Sequence, residues 1–209
     1  MQKSPLTTTH LCTIANTLCE SQDYNNMLFL CMINTGFAGL LRLGEMTVSD
    51  TSHLWDSRKI VSCSSLSWVD NEYEFLLPVH KADTTFEGNR VHIACIINAP
   101  DPQPFIRCFI TSRDRLFPLH TQLWLRKNGT VPTRSWFLHC LSAYCPPNIA
   151  GQSMRAGGAT ALAEAGAPGE LIRGAGCWSS DAFERYIRKN VIVLHALILG
   201  CSLHYSRGP

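Results

Sequence analysis

The chain has 209 residues, which is enough for one domain with a hydrophobic core of its own. Apolar residues make up 45% of it and charged residues only 16%, a composition that excludes a disordered acidic or basic tail protein. The formal net charge of +2 gives, by itself, no sign of nucleic-acid binding.

The first half of the chain predicts two helices followed by a small sheet. Residues 6–19 and 24–41 have helical patterns. Three strand-like runs then lie within residues 58–97: IVSCSSLSW, YEFLLP and RVHIACII. The turns at 69–72 and 80–89 predict that these runs form a three-stranded antiparallel meander.

The second half predicts helices separated by prolines. Helical pieces are expected between 104 and 145, and an alanine-rich helix over 153–165, with Gly166 just beyond its end. Pro168 opens a second short helix, and a last helix is expected from about 179 to 199. The order of elements predicts one α+β domain, mainly helical, with a small three-stranded antiparallel sheet.

Cysteine and hydropathy patterns point to reduced thiols and to no membrane span. The ten cysteines include no C-x-x-C pair, and no secretion signal accompanies them, so we expect reduced thiols that serve as small hydrophobes rather than a zinc site or a disulfide framework. The apolar stretch Met27–Leu41 is interrupted by polar residues and glycines, so it does not qualify as a transmembrane helix.

Charge is informative once it is divided along the chain. Residues 1–100 contain six Lys/Arg and ten Asp/Glu, whereas residues 101–155 contain seven and two. Six of these seven basic residues precede the proline pair at 146–147: Arg107, Arg113, Arg115, Arg126, Lys127 and Arg134. They alternate with Phe and Trp, which suits contact with a phosphate backbone, and a merely solvated face explains them equally well.

Three local motifs carry the candidate chemistry. They are LRLGE at 41–45, QSMRAGGAT at 152–160 and GCWSSDAFERYIR at 176–188. Taken alone, Arg42 and Glu45 are typical of a surface ion pair, and Arg155 is typical of a solvent-facing charge at a helix start. The third motif is long and rich in rarer residue types, so it is the most specific of the three.

In this order and spacing the motifs resemble the catalytic domain of tyrosine recombinases, the phage-integrase-like fold. The likeness is greatest to the recombinases of DIRS-type retrotransposons and cryptons and to related fungal genes. It covers roughly residues 25–195. It implies a catalytic domain over 26–200, preceded by an N-terminal remnant or first helix at 1–25 and followed by a tail at 201–209.

The resemblance assigns roles to individual residues. Matched to the family's active site are the two catalytic arginines Arg42 and Arg155, the lysine Lys81 between two strands, Trp178 at the His/Trp position, the nucleophile Tyr186, and the supporting residues Glu45 and Gln152. Arg126, Lys127 and Arg134 are candidates for contact with DNA. The family reaction breaks and rejoins double-stranded DNA through a 3′-phosphotyrosyl bond, and it implies no metal and no cofactor.

The resemblance also implies a biological setting. Relatives act as tetramers on paired sites and exchange C-terminal segments, for which residues 190–203 are apolar enough. Action in the nucleus and origin from a mobile element are expected on the same ground. Only about 25 residues precede the first matched helix, so we expect a fragment, a truncated gene or a degenerate element copy.

Two positions depart from the family pattern. Gln152 stands where the family has histidine, and an amide cannot accept the tyrosine proton at neutral pH. Cys177 stands where the nearest relatives carry arginine, which removes one DNA contact. Two alternatives therefore remain: a relic that binds DNA or a partner recombinase without cutting, and a helical interaction domain unrelated to DNA.

Overall fold

The computed structural model describes residues 3–78 and 88–176. Two helices open the fold, α1 (Thr8–Leu18) and α2 (Tyr24–Ala38). Thr7 caps α1 and Asp23 caps α2, each accepting a hydrogen bond from a backbone N–H of the first turn. Buried residues occur on every side of α2, so it is the central helix of the core.

The predicted meander is confirmed. Strands β1 (Ser67–Val69), β2 (Glu72–Leu77) and β3 (Asn89–Ile93) pair antiparallel in the order β1-β2-β3. Alternate side chains of β2 are buried, and the Tyr73 hydroxyl lies 2.7 Å from the Thr35 hydroxyl of α2. The sheet is thus fastened by its inner face to the central helix.

The first strand is much shorter than the sequence predicts. Only Ser67–Val69 pairs with β2, whereas Ser62 forms an isolated antiparallel bridge with Gln122 and Cys63–Ser65 forms a 3₁₀ turn. The Ser65 hydroxyl donates to the Ser62 carbonyl at 2.7 Å, and the Ser62 and Ser64 hydroxyls lie 2.8 Å apart. Serine hydroxyls that bond neighbouring residues favour turns over extended strands, which explains why the strand prediction for residues 63–65 is wrong.

Four helices complete the described fold. They are α3 (Pro102–Leu116), α4 (Arg134–Ser142), α5 (Ser153–Glu164) and α6 (Gly169–Ala175). Gly166 follows α5 with φ +83°, and Pro168 precedes α6, both as predicted. The helix expected near 179–199 lies outside the described residues. Helices α1, α3 and α5 all pack against α2.

Within residues 3–78 and 88–176, no helix has the length and apolar character needed to cross a membrane.

The glycines of α5 allow its backbone to touch that of α2. A Cβ added to Gly158 would clash with the backbone carbonyl oxygen of Phe37, at the end of α2. A Cβ on Gly157 would clash with the backbone carbonyl oxygen of Leu6. Glycine weakens an exposed helix, so its presence here is explained by the close approach of α5 to the main chain on both sides.

Replacing Gly158 with alanine tests this approach. We expect Gly158→Ala to lower the free energy of unfolding by about 1–3 kcal/mol, because a rigid carbonyl must move to admit the methyl group. Gly174→Ala is the matched control, since an added Cβ there meets nothing within 4 Å, and it should stabilise by about 0.5 kcal/mol. Urea unfolding measures both, and equal stability of the two variants would contradict the close packing.

Candidate active site

The end of α2 sets the direction of the first candidate motif. The Leu41 N–H donates to the Gly36 carbonyl at 2.9 Å and the Leu40 N–H to the Phe37 carbonyl at 3.3 Å, a Schellman arrangement. Leu40 occupies its left-handed position at φ 51°, where glycine is usual. The Leu40 side chain is buried in the core, and its burial offsets the energetic cost of this backbone conformation.

Arg42 is held by a single carboxylate. Glu45 Oε2 accepts the Arg42 backbone N–H at 2.7 Å, and Glu45 Oε1 accepts from Arg42 Nη1 at 3.1 Å. The Arg42 side chain is nevertheless 54% exposed. Because one carboxylate fixes both backbone and guanidinium, the remaining guanidinium donors are oriented and still accessible to an anion.

Arg155 lies in the first turn of α5 and is only 9% exposed. Its Nη2 donates to the backbone carbonyl of Gly176. The sequence-based alternative of a solvent-facing charge is therefore wrong for this residue. A buried guanidinium bonded to the main chain cannot be replaced by the flexible, point-like charge of lysine without loss of geometry.

A pocket of about 250 Å³, including space open to solvent, joins the predicted elements. Its lining includes Glu45 and Arg155, and Arg42 adjoins it through Glu45. Leu77, the last residue of β2, and Asn89, the first residue of β3, also line it, and Lys81 lies between them in the sequence. The structure thus brings the two arginine motifs and this end of the sheet together.

Three predicted active-site residues lie outside the described part of the chain: Lys81, Trp178 and Tyr186. Their attachment points are nevertheless described. The lysine belongs to the segment between β2 and β3, and the other two follow Gly176, whose carbonyl accepts from Arg155. Both segments therefore leave the described fold at the pocket that Arg155 lines.

Gln152 precedes α5 with an exposed side chain that makes no capping hydrogen bond. Its amide is therefore not required to begin the helix.

An exposed lysine that carries no sequence motif, Lys59, lines a second pocket of about 210 Å³ together with Glu45. Sequence patterns missed it because a loop lysine resembles any solvated charge until its neighbours are known.

Two of the three candidate DNA contacts, Arg126 and Arg134, lie at the start of α4, whereas the Lys127 N–H donates to Asn25 Oδ1 in the first turn of α2. Arg134 is the first residue of that helix and is exposed, as is Lys127. The Arg126 guanidinium lies over the Trp136 ring, 5.6 Å from its centroid. Because the Arg134 N–H donates to the Val48 carbonyl at 3.0 Å, this basic group adjoins the chain that leaves the Arg42 turn.

Arg113, in the same basic segment, has a structural role instead. It is 2% exposed, and its guanidinium donates to the carbonyls of His120 and Gln122 and to the carboxylate of Asp114. A buried guanidinium can neither contact a DNA phosphate nor belong to a solvated face. Both sequence-based interpretations are therefore wrong for Arg113. Its guanidinium fixes the loop that follows α3.

Cysteine and acidic side chains offer no clear metal centre in the part of the chain that the structure describes. Among residues 3–78 and 88–176, no three His, Cys, Asp or Glu side chains lie close enough to hold an ion. Burial raises the pKa of the Cys63, Cys140 and Cys145 thiols, as it does that of Cys31, so they stay protonated at neutral pH.

The roles of two neighbouring arginines can be separated by stability. Arg113→Ala should lower the free energy of unfolding by about 3 kcal/mol, because buried carbonyls lose their charged donor. Arg115→Ala, an exposed position on the same helix, should stay within about 0.5 kcal/mol of the wild type. Thermal unfolding measures both. Unchanged stability of Arg113→Ala together with weakened DNA binding would contradict the structural role.

Comparison with known proteins identifies the fold. No protein-family model matches the chain, and no curated protein does. Among solved structures, the XerH site-specific recombinase bound to a palindromic difH substrate matches with a TM-score of 0.61 at 12% identity, over 99% of this chain and 54% of that one. The Tn1549 transposon integrase with transposon right end DNA matches with a TM-score of 0.57 at 16% identity, over 99% and 66%.

A lambda integrase dimer bound to a core site matches with a TM-score of 0.57 at 11% identity, over 89% of this chain and 59% of that one. The chain thus spans about half to two thirds of the length of these proteins. Identities this low bear on the fold alone. The predicted fold class is confirmed: the chain has the α+β, phage-integrase-like catalytic-domain fold with a small three-stranded sheet.

Proposed function

We propose that this protein breaks and rejoins DNA strands through a covalent 3′-phosphotyrosyl intermediate formed by Tyr186. The observation that carries the proposal is the shared pocket of Glu45 and Arg155, with Arg42 held beside it. Structural neighbours with the same fold are described in complexes with DNA, which supports double-stranded DNA as the substrate.

Two arginines suit the transition state of this reaction. Attack on a phosphodiester places additional negative charge on the non-bridging oxygens of phosphorus. The guanidinium groups of Arg42 and Arg155 stay charged at any working pH and offer fork-shaped donors for those oxygens. Since they supply the positive charge themselves, the proposed reaction requires no metal ion. Each is expected to lower the barrier by about 3 kcal/mol, by analogy with oxyanion-hole donors.

The remaining steps use residues beyond the described part of the chain. The Tyr186 oxygen gives up its phenolic proton to solvent water and forms a bond to phosphorus, while the bond from phosphorus to the 5′ oxygen breaks. Lys81 donates a proton to that leaving oxygen, and Trp178 supports the site by packing. The phosphotyrosyl ester retains the energy of the broken link, so the 5′ hydroxyl of a second strand reseals it in the reverse reaction.

Finer features belong to the same hypothesis. Kinship with DIRS-type and crypton recombinases, origin from a mobile element, and action in the nucleus rest on the motif resemblance. So do assembly into a tetramer on paired sites and a catalytic domain extending over 26–200. Exposed Arg134 and Lys127, with Arg126 beside them, would then contact the backbone of the bound duplex.

A second candidate function is a relic that binds DNA without cutting it. Gln152 favours this candidate, because its amide cannot accept the phenolic proton of Tyr186. Since its side chain neither caps α5 nor is buried, the fold itself does not require glutamine there. DNA binding by such a relic would remain strongly dependent on salt.

Covalent capture tests the first candidate. A labelled pool of nicked duplexes of random sequence should yield a protein–DNA adduct that survives denaturing electrophoresis. Tyr186→Phe should give none, and Arg42→Ala should form the adduct about 10²–10³-fold more slowly, because one phosphate donor is lost. Absence of adduct from wild type and Tyr186→Phe alike, while both retain DNA, would contradict catalysis.

Restoring the family histidine separates the two candidates. Gln152→His should increase the rate of adduct formation by about 10²–10⁴-fold if the missing base is the only defect. Gln152→Ala controls for loss of the amide and should show no increase. A folded Gln152→His variant that binds DNA but forms no adduct would favour the relic.

A further inference from the structure

The residues at 3–6, here termed the N-terminal strap, run along the loop that leads into α5. The Ser4 N–H donates to the Asn148 carbonyl, and the Leu6 N–H donates to the Ser153 carbonyl, both at 2.9 Å. The Asn148 amide also donates to the Ser4 hydroxyl at 2.8 Å. The strap is therefore joined to this loop at Ser4 and to the first residue of α5 at Leu6.

The same strap touches the first turn of α5. The Leu6 carbonyl oxygen lies where a Cβ of Gly157 would be, so backbone meets backbone. Ser153, at the start of the turn, is buried, and its hydroxyl accepts the Ala150 N–H at 2.9 Å. Arg155 lies between these two contact points. Its position is thus set by main-chain neighbours on the strap side as well as by α2.

We propose that the N-terminal strap is a positioning element for Arg155. The proposal rests on the proposed function, in which this guanidinium binds the scissile phosphate. Two glycines follow Arg155, at 157 and 158, and they supply no side chains to lock the turn. Instead, the Leu6 carbonyl contacts the turn at Gly157 and the Phe37 carbonyl contacts it at Gly158, and these two contacts fix its position.

Under this proposal, Leu6 both fills the core and holds the strap against the turn that carries Arg155. Leu11 on α1 is equally buried, with 1% of either side chain exposed, but its N–H bonds within its own helix, to the Thr7 carbonyl. Shortening either leucine removes the same side chain from the core. Only shortening Leu6 loosens the strap that contacts the turn carrying Arg155.

The experiment compares Leu6→Ala with Leu11→Ala in the full chain, at a temperature where circular dichroism finds both folded. We expect Leu6→Ala to shift the Nε–H resonance of Arg155, identified by its loss in Arg155→Lys, and Leu11→Ala to leave it in place. We also expect Leu6→Ala alone to slow adduct formation, by about 10- to 100-fold, because small displacements of a phosphate-binding group are costly. Leu6→Met should restore both properties.

The outcomes distinguish this proposal from the proposed function. An unshifted Arg155 resonance in Leu6→Ala, or equal shifts in both alanine variants, overturns the strap proposal. If the wild type forms no adduct, catalysis fails, and the resonance alone then decides whether the strap positions Arg155. If adduct forms at the same rate in both alanine variants, the strap has no positioning role in the reaction and the proposal is wrong.

Discussion

The backbone contact between α5 and α2 is the constraint on which the candidate site depends. Gly158 lets the first turns of α5 approach the Phe37 carbonyl, where α2 ends and the chain turns toward Arg42. A side chain at that glycine would separate the two helices, and with them the two arginine motifs. The Tyr73–Thr35 hydrogen bond positions the sheet in the same way, because it joins β2, the strand that precedes Lys81, to α2.

Much of the fold follows from patterns that are visible in the sequence. Gly166 predicts the end of α5 and Pro168 the start of α6, and the run YEFLLP predicts a strand where β2 lies, with alternate side chains buried. The strand prediction fails at residues 63–65 because the hydroxyls of Ser62, Ser64 and Ser65 bond locally, an effect that strand propensity does not include. Likewise, spacing alone does not reveal that α5 needs its glycines for a backbone contact.

Burial separates arginines that look alike in the sequence. Arg113 and Arg155 are both buried and both donate to main-chain carbonyls, but only Arg155 lines the pocket near Glu45. Arg42 differs again, because its partner is a carboxylate and its side chain remains exposed. Arg155 lines this pocket and Arg42 is joined to it through Glu45, while the catalytic roles that the motif resemblance gives them stay a prediction. Composition grouped Arg113 with the basic surface, because charge counts contain no information on accessibility.

In the proposed reaction, the guanidinium groups of Arg42 and Arg155 offset the negative charge at phosphorus. The most direct measurement is the rate of adduct formation on a duplex whose scissile phosphate carries an uncharged methyl group in place of one non-bridging oxygen. If Arg155 neutralises that phosphate, Arg155→Ala is slow on the ordinary duplex and approaches the wild-type rate on the methylated one. An equal deficit of Arg155→Ala on both duplexes would contradict the claim that this arginine acts on the phosphate charge.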